Sequence, residues 1–233
     1  MGGHMKNIGI ILARSGSKGL KDKNIKDLLG KPLMAYTIEA AVASGKFDTV
    51  HVSTDSEQYA EIARKFGADV PFLRDAELAG DHASSWDALR SVVKEYEKRG
   101  NVFDTVTLLQ PTSPLRDADN IRGAFEIFEE KQADSVVSVC EVDHSPLLCN
   151  VLDDSLSMDG FIDMSKVGRR QELSTYYRIN GAIYIQKTKF LMEGASVYGE
   201  KSYAYIMDKR KSIDIDDSYD FLIAERLMEM CIF

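Results

Sequence analysis

Short apolar runs alternate with stretches of helical spacing along most of the chain. Lys6-Asn-Ile-Gly-Ile-Ile-Leu12 is rich in isoleucine and ends at a glycine-rich turn, which predicts a buried first strand followed by a loop. Thr49–Ser53, Thr105–Leu109 and Ser135–Val139 repeat that signature. Between them apolar residues recur every three or four positions. One helix is predicted from Asp55 as N-cap, with Gln58 completing a capping box and Gly67 as the stop, burying Tyr59, Ile62 and Phe66. A second runs from about Ser85 to Arg99, with Trp86, Leu89, Val93 and Tyr96 at helical spacing and Gly100 ending it. A third, after Asp117, turns Ile121, Ala124, Phe125 and Phe128 to one side. Towards the C-terminus, Gly181–Ile185, Tyr203–Met207 and Ser212–Asp216 predict strands, and Tyr219, Leu222, Ile223 and Leu227 predict a closing helix.

This alternation predicts an α/β fold, Rossmann-like, with a mostly parallel sheet and helices on both faces. In such folds ligands occupy the crevice beyond the C-terminal ends of the strands, so the loops after Leu12, Ser53 and Leu109 are expected to share one site. Residues 141–178 break the rhythm: they are polar, contain Pro146, Gly160 and Gly168, and read as an insertion or small subdomain between 6–140 and 179–233. Met1-Gly-Gly-His-Met5 reads as a leftover of an expression leader and is set aside.

Composition narrows the possible partners. The 29 Lys and Arg against 37 Asp and Glu leave a net charge of −8, which argues against a nucleic-acid or anionic-membrane partner. No apolar stretch approaches the roughly 18–20 residues that a bilayer span requires, and no signal peptide is evident, so a soluble cytoplasmic protein is expected. Cys140, Cys149 and Cys231 form an odd set without a C-x-x-C spacing, which suits neither a disulfide framework nor zinc. His4, His51, His82 and His144 are too scattered to suggest a metal cluster.

Against that acidic background one loop is basic. Between Arg14 and Lys26 stand Arg14, Lys18, Lys21, Lys23 and Lys26 against Asp22 alone, in a glycine-containing turn after the first strand. Backbone N–H groups and clustered cations in that position suit phosphates, although a solvated basic turn would look similar. The spacing is neither a Walker A motif nor G-x-G-x-x-G. Asp214 and Asp216 sit one residue apart, which on a strand puts both carboxylates on one face, and paired hard oxygens suit Mg2+ together with substrate phosphates. The alternative is that Asp216 or Asp217 merely caps the last helix. Gln110-Pro-Thr-Ser-Pro-Leu-Arg116 is a proline-fixed turn in which Gln110 could bond a polyhydroxyl substrate or simply precede a helix. Arg74 and Ser84-Ser85 read by default as an exposed arginine and a helix cap. Arg178-Ile-Asn-Gly places Asn180 at a strand mouth, where Gly181 allows close approach to the backbone. Arg169, Arg170 and Arg178 could grip a carboxylate or pair with acids such as Glu172.

Taken together, Ile10-Ile-Leu-Ala-Arg-Ser-Gly-Ser-Lys-Gly-Leu20, Lys23-Asn24, Leu108-Leu-Gln-Pro-Thr-Ser-Pro-Leu-Arg116, the Arg178–Tyr184 run and Ser212-Ile-Asp-Ile-Asp216 resemble the acylneuraminate cytidylyltransferases, or CMP-sialic acid synthetases, from about residue 7 to 230. The resemblance implies transfer of CMP from CTP to the anomeric hydroxyl of a nine-carbon α-keto acid sugar, with release of pyrophosphate. It implies that Arg14, Ser17 and Lys23 hold the CTP phosphates, that Asn24, Arg74 and Ser85 contact the nucleoside, and that Gln110 faces the sugar; Asn180, from its place at the strand mouth, is counted with Gln110 among the substrate-binding candidates. It further implies Mg2+ on Asp214 and Asp216, and a homodimer in which the 141–178 insertion brings Arg170 to the neighbour's sugar. Arg14, Lys23, Asp214 and Asp216 would then be the catalytic set. Two positions depart from the pattern: Leu148 replaces a frequent sugar-contacting lysine, and Lys21 a usual proline. Legionaminic acid and the deaminated sugar therefore stand beside N-acetylneuraminic acid as acceptors. Other readings are a CMP-Kdo or other sugar nucleotidyltransferase, and a catalytically silent nucleotide-binding module.

Overall fold

The computed structural model describes residues 4–16, 19–75, 84–165 and 174–230. In chain order the elements are β1 (Asn7–Leu12), β2 (Asp27–Leu28), β3 (Lys31–Pro32), α1 (Leu33–Ser44), β4 (Thr49–Ser53), α2 (Glu57–Lys65), α3 (Ser85–Lys98), β5 (Thr105–Leu109), α4 (Ala118–Glu130), β6 (Ser135–Glu141), β7 (Tyr177–Lys187), α5 (Thr188–Met192), β8 (Ser202–Ile206) and α6 (Ser218–Glu229). Six strands form one sheet in the order β4-β1-β5-β7-β6-β8, and β2 with β3 makes a short separate ribbon. β1 pairs in parallel with β4 and β5, and β6 with β8, whereas β7 runs antiparallel to both β5 and β6.

Both sheet faces are covered, which is why β1 is apolar without alternation. Ile11 packs with Met34 and Ile38 of α1, Tyr59 of α2, and Ile121 and Phe125 of α4. Ile8 and Ile10 face the other way, towards Leu89, Val92, Val93 and Tyr96 of α3 and Leu191 of α5. A smaller cluster of Leu28, Leu33, Leu115, Ile215, Phe221 and Ala224 seats α6 against the ribbon and the 110–116 turn.

The α/β expectation with helices on both faces therefore holds, with four corrections. α1 carried no helical signal because Leu33, Met34, Ala35, Thr37, Ile38, Ala41 and Ser44 are all buried, and a helix covered on most sides lacks the polar stripe that reveals its period. α2 is capped by Ser56, whose hydroxyl accepts from Tyr59 N, and not by Asp55. β7 is an eleven-residue strand, and its antiparallel course makes the sheet mixed. Ser212–Asp216 is not a strand: it joins no ladder, and it is tied to the 110–116 turn by bonds such as that from Ile215 N to Thr112 O at 2.9 Å. Between β6 and β7, the described residues hold one short 3-10 turn at Pro146–Leu148 and otherwise irregular, largely exposed chain. Among the described residues no helix is long and apolar enough to cross a membrane.

Candidate active site

β1, β4 and β5 run in parallel and end side by side at Leu12, Ser53 and Leu109, so the segments that follow them meet. The loop after β1 is fixed at several points. Ser15 donates from N and Oγ to the two carboxylate oxygens of Asp55, at 2.8 and 2.7 Å. Burial would raise the Asp55 carboxyl, but the two Ser15 bonds, with the nearby Arg74 charge, hold it below its ordinary range. Asn24 is buried and donates its amide to Arg14 O at 3.1 Å, while Tyr59 OH donates to Asp22 at 3.2 Å. Asp55 was thus visible in the sequence but assigned to helix capping; its work is to hold the basic loop. Ser17 and Lys18 lie outside the described residues.

That loop closes on the aspartate segment from the other end of the chain. Lys23 Nζ donates to Ile215 O at 2.5 Å and to Asp216 Oδ1 at 3.4 Å. A β-carbon on Gly19 would stand 2.7 Å from Asp216 O, so the close approach requires glycine there. Asp217, not Asp216, caps α6 by accepting from Tyr219 N and Asp220 N, and Asp220 returns the bond to the Asp216 and Asp217 amides. The capping alternative is therefore taken by Asp217, and the Asp216 side chain is left largely exposed at 83%.

Asp214 is different. It is part-buried, with one oxygen, Oδ1, fully enclosed and without a hydrogen-bond partner among the described residues. Burial raises its carboxyl above the ordinary range; Thr112 and Lys23 favour the ionised form, and the Asp216 and Asp220 carboxylates oppose it. A half-satisfied carboxyl beside a second one is a place that a cation would suit. Among the described residues no group of three or more His, Cys, Asp or Glu side chains is placed to hold a metal. Two carboxylates with the rest of the shell left to phosphates and water are the usual provision for Mg2+, so Asp214 and Asp216 fit that ion.

Gln110 and Gly181 complete this end of the crevice. A β-carbon on Gly181, at φ +78°, would stand 3.2 Å from Asp214 Oδ2 and 3.4 Å from Gln110 Nε2. The Gln110 carbonyl accepts from Thr37 Oγ1 at 3.3 Å, and Thr37 in turn accepts from the fully buried Arg116 at 2.7 Å. Thr37, Thr112 and Arg116 were not singled out from the sequence: Thr37 sits in the helix that gave no signal, and the other two were hidden in what reads as a turn.

Arg74 is not the exposed arginine of the default reading. Its guanidinium donates to Ser53 Oγ at 2.9 Å and Ser53 O at 2.6 Å, and its backbone N to Thr54 O. Burial, with the neighbouring Arg14 charge, pulls its pKa down to about 10 against the pull of Asp55. Beside it is a cavity of about 230 Å³ lined by Ser53, Phe72, Arg74, Ser91 and Glu95, among others. Ser85 opens α3 and is exposed, while Ser84 supplies the cap. Asn180, expected to face a ligand, has its side chain turned inward and 1% exposed. Arg170, with Arg169, lies outside the described residues.

Residues 8–231 match the family described as Cytidylyltransferase. The chain is 43% identical over 221 residues to an N-acylneuraminate cytidylyltransferase of Escherichia coli, covering 94% of this chain and 51% of that protein. It thus spans about half the length of the first curated relatives it matches. It is 38% identical to a CMP-N,N'-diacetyllegionaminic acid synthase of Legionella pneumophila and 33% identical to a pseudaminic acid cytidylyltransferase of Campylobacter jejuni, in each case over 97% of both chains. The fold is shared with a solved CMP:2-keto-3-deoxy-manno-octonic acid synthetase complexed with CTP, at TM-score 0.72 and 16% identity over 97% of this chain and all of that one. With a basic glycine loop closing on paired aspartates at the strand ends, and a family match across nearly its whole length, the chain belongs to the cytidylyltransferase family.

Proposed function

We propose that the chain transfers CMP from CTP to the anomeric hydroxyl of a nonulosonic acid and releases pyrophosphate. The observation that carries this reading is the closure of the Lys23 loop on Ile215 and Asp216, which puts a cationic turn and two carboxylates around one space. Both substrates are anions, so charge neutralisation and in-line placement are the main demands on the protein. Arg14, Ser17 and Lys23 hold the CTP phosphates, and Arg14 and Lys23 offset the charge that gathers on the departing pyrophosphate. Arg74, already anchored on Ser53, meets the nucleoside with Asn24 and Ser85. Gln110 faces the sugar, whose hydroxyl oxygen bonds the α-phosphorus as the bond to the β-phosphate oxygen breaks and the hydroxyl proton passes to solvent. Asp214 and Asp216 would hold Mg2+, which when bound supplies charge neutralisation at the α-phosphate.

The acceptor is proposed from the relatives' names: the sialic, legionaminic and pseudaminic acids are all nine-carbon α-keto acids. A homodimer is part of the same reading. The 142–165 arm exposes Val151, Leu156, Met158 and Met164, and β7 and β8 expose Ile179, Tyr203 and Ile206, apolar surface that a second copy would cover. In that assembly Arg170 reaches the partner's sugar. The cytoplasm, where CTP is supplied, is the expected location. The test is a panel of CTP and Mg2+ with N-acetylneuraminic, legionaminic, pseudaminic, deaminated neuraminic and Kdo acids, reading pyrophosphate. Turnover with at least one nine-carbon acid is expected. Turnover with Kdo alone, or CTP binding without pyrophosphate from any acid, would overturn the reading.

A further inference from the structure

The Asn180 side chain has no capacity left for a ligand. Its Oδ1 accepts from Ser138 Oγ at 2.6 Å and from Ala182 N at 3.2 Å, and its Nδ2 donates to Ser212 Oγ at 2.9 Å and towards Met207 Sδ at 3.3 Å. A primary amide offers two donors and an acceptor with two lone pairs, and all are engaged inside the protein. The partners come from three different parts of the chain: β6, β7 itself, and the 207–212 stretch that leads to the aspartates.

The backbone at this point is shaped to make that possible. Val137 pairs with Tyr184 and Val139 with Ile179, so two steps along β6 span five along β7, and the three extra residues bulge around Asn180-Gly181. Ser138 bridges the bulge by accepting from Ile183 N at 2.8 Å and donating to Asn180. Bulges of this kind re-aim the chain next to sites. Here it aims Asn180 at Ser212 and brings the bare backbone of Gly181 against Asp214 Oδ2.

Residues 212–216 belong to no ladder, so their place must come from individual bonds. Ser212 is held by Asn180 through its hydroxyl and by Arg178 through its carbonyl at 3.2 Å, and Ser212 Oγ also donates to Asp208 O. Ile215 is held by Thr112 and Lys23. Asp214 lies between these two anchor points. We propose that Asn180 is a positioning residue: through Ser212 it fixes the N-terminal end of the aspartate segment and so sets where the Asp214 carboxylate stands, without touching substrate. The inference rests on the cytidylyltransferase reading above for its chemistry.

The test uses Ser212→Ala, which removes the partner and leaves Asn180 intact, and Asn180→Asp, which keeps size and Oδ1 but loses the donor. For each, Mn2+ binding in the presence of CTP is read by electron paramagnetic resonance, kcat and the KM for the sugar acid by pyrophosphate release, and folding by thermal unfolding. Residues that orient a metal's ligands typically change affinity or activity about 10- to 100-fold. Both variants are expected to weaken Mn2+ binding and lower kcat within that range, with the sugar KM unchanged. If Asn180 instead contacted the sugar, Ser212→Ala would be silent and Asn180→Asp would raise the sugar KM alone; that result overturns the proposal. So does wild-type protein that binds no Mn2+ beside CTP. Should Asn180→Asp fail to fold, Ser212→Ala decides alone. A wild-type protein that binds Mn2+ with CTP but turns over no acid would sink the proposed function, and the Mn2+ measurement would still judge Asn180.

Discussion

The Lys23 ammonium touches Ile215 O and Asp216 Oδ1 across 192 and 193 positions of sequence, with a side chain only 13% exposed. One of its contacts is a carbonyl and the other a weak ion pair to an exposed carboxylate, so little of the fold depends on its charge. An anion entering the crevice would meet that charge preplaced and partly desolvated, where it is worth far more than in water. Lys23→Met is therefore expected to unfold within a few degrees of wild type and to lose about 10²-fold or more in kcat/KM for CTP-dependent pyrophosphate release. Unchanged kcat/KM would remove Lys23 from the site.

The burial of Asp214 works against stability at the place where the proposed reaction needs its charge. Its carboxyl is raised by burial first and by the Asp216 charge after Thr112 has offset part of that, so the folded state resists its ionisation. A raised carboxyl costs stability at any pH above the folded value and costs nothing once both states are protonated. Asp214→Asn should thus raise Tm at neutral pH, by an amount that shrinks as pH falls through the ordinary carboxylate range, while pyrophosphate release drops at least 10²-fold. A Tm gain with retained turnover would leave Asp214 without a role in catalysis; a Tm loss would mean the enclosed Oδ1 is better satisfied than its surroundings show.

Gly181 tests how tightly the crevice is built. A left-handed backbone costs a residue with a β-carbon about 1–2 kcal/mol wherever it occurs. At Gly45, φ +65°, no atom of the described residues lies within 4 Å of such a carbon, whereas at Gly181, φ +78°, it meets Asp214 Oδ2 and Gln110 Nε2. Gly45→Ala and Gly181→Ala should lose similar stability in chemical unfolding, but the second alone should lose activity, by about tenfold or more, because the Asp214 carboxylate must give way by a few tenths of an ångström. Equal activity in the two variants would show that Asp214 and Gln110 have room to spare.

How much of this was legible in the sequence depended on whether a residue's partner was local. The cap and the buried side of α4, Asp117 and then Ile121, Ala124, Phe125 and Phe128, were legible because caps and helical spacing are short-range signals. The basic loop and the aspartate pair were legible because charge concentrated in an acidic chain stands out. The partners of Asp55, Asn180 and Arg74 were out of reach for the opposite reason. Each has partners that only the assembled sheet supplies: Ser15 for Asp55, Ser138 and Ser212 for Asn180, Ser53 for Arg74. The 212–216 segment alternates isoleucine and aspartate as a strand would, yet the alternation reflects Ile215 facing α6 and the aspartates facing the crevice, with no neighbouring strand to pair.

Behind the Arg74 cavity lies a buried histidine that should govern the protein's acid sensitivity. His51 is fully buried in β4, stacked on Phe72 at 4.9 Å between ring centres, with Nδ1 3.1 Å from Tyr96 OH. The tyrosine hydroxyl donates to Asp69 at 2.7 Å, so it accepts from His51, and Nδ1 carries the hydrogen of a neutral ring. Nε2 is enclosed and has no hydrogen-bond partner among the described residues. Burial, reinforced by the Arg74 charge and only partly countered by the Asp69 backbone, pushes the pKa from 6.5 down to about 3. An unfolded chain takes up the proton below 6.5 and the folded one does not. The histidine's contribution is therefore intact above that value and is lost progressively as pH falls towards 3, reaching about 2 kcal/mol at pH 5. In a chain of this size that is a Tm difference of roughly 4–8 °C. His51→Gln, which cannot titrate, should be less stable than wild type at pH 7.5 through lost ring packing, yet should lose less Tm than wild type between pH 7.5 and pH 5. Parallel pH profiles for the two proteins would show that His51 is protonated inside the fold, and that the Phe72 wall of the cavity does not exclude the charge.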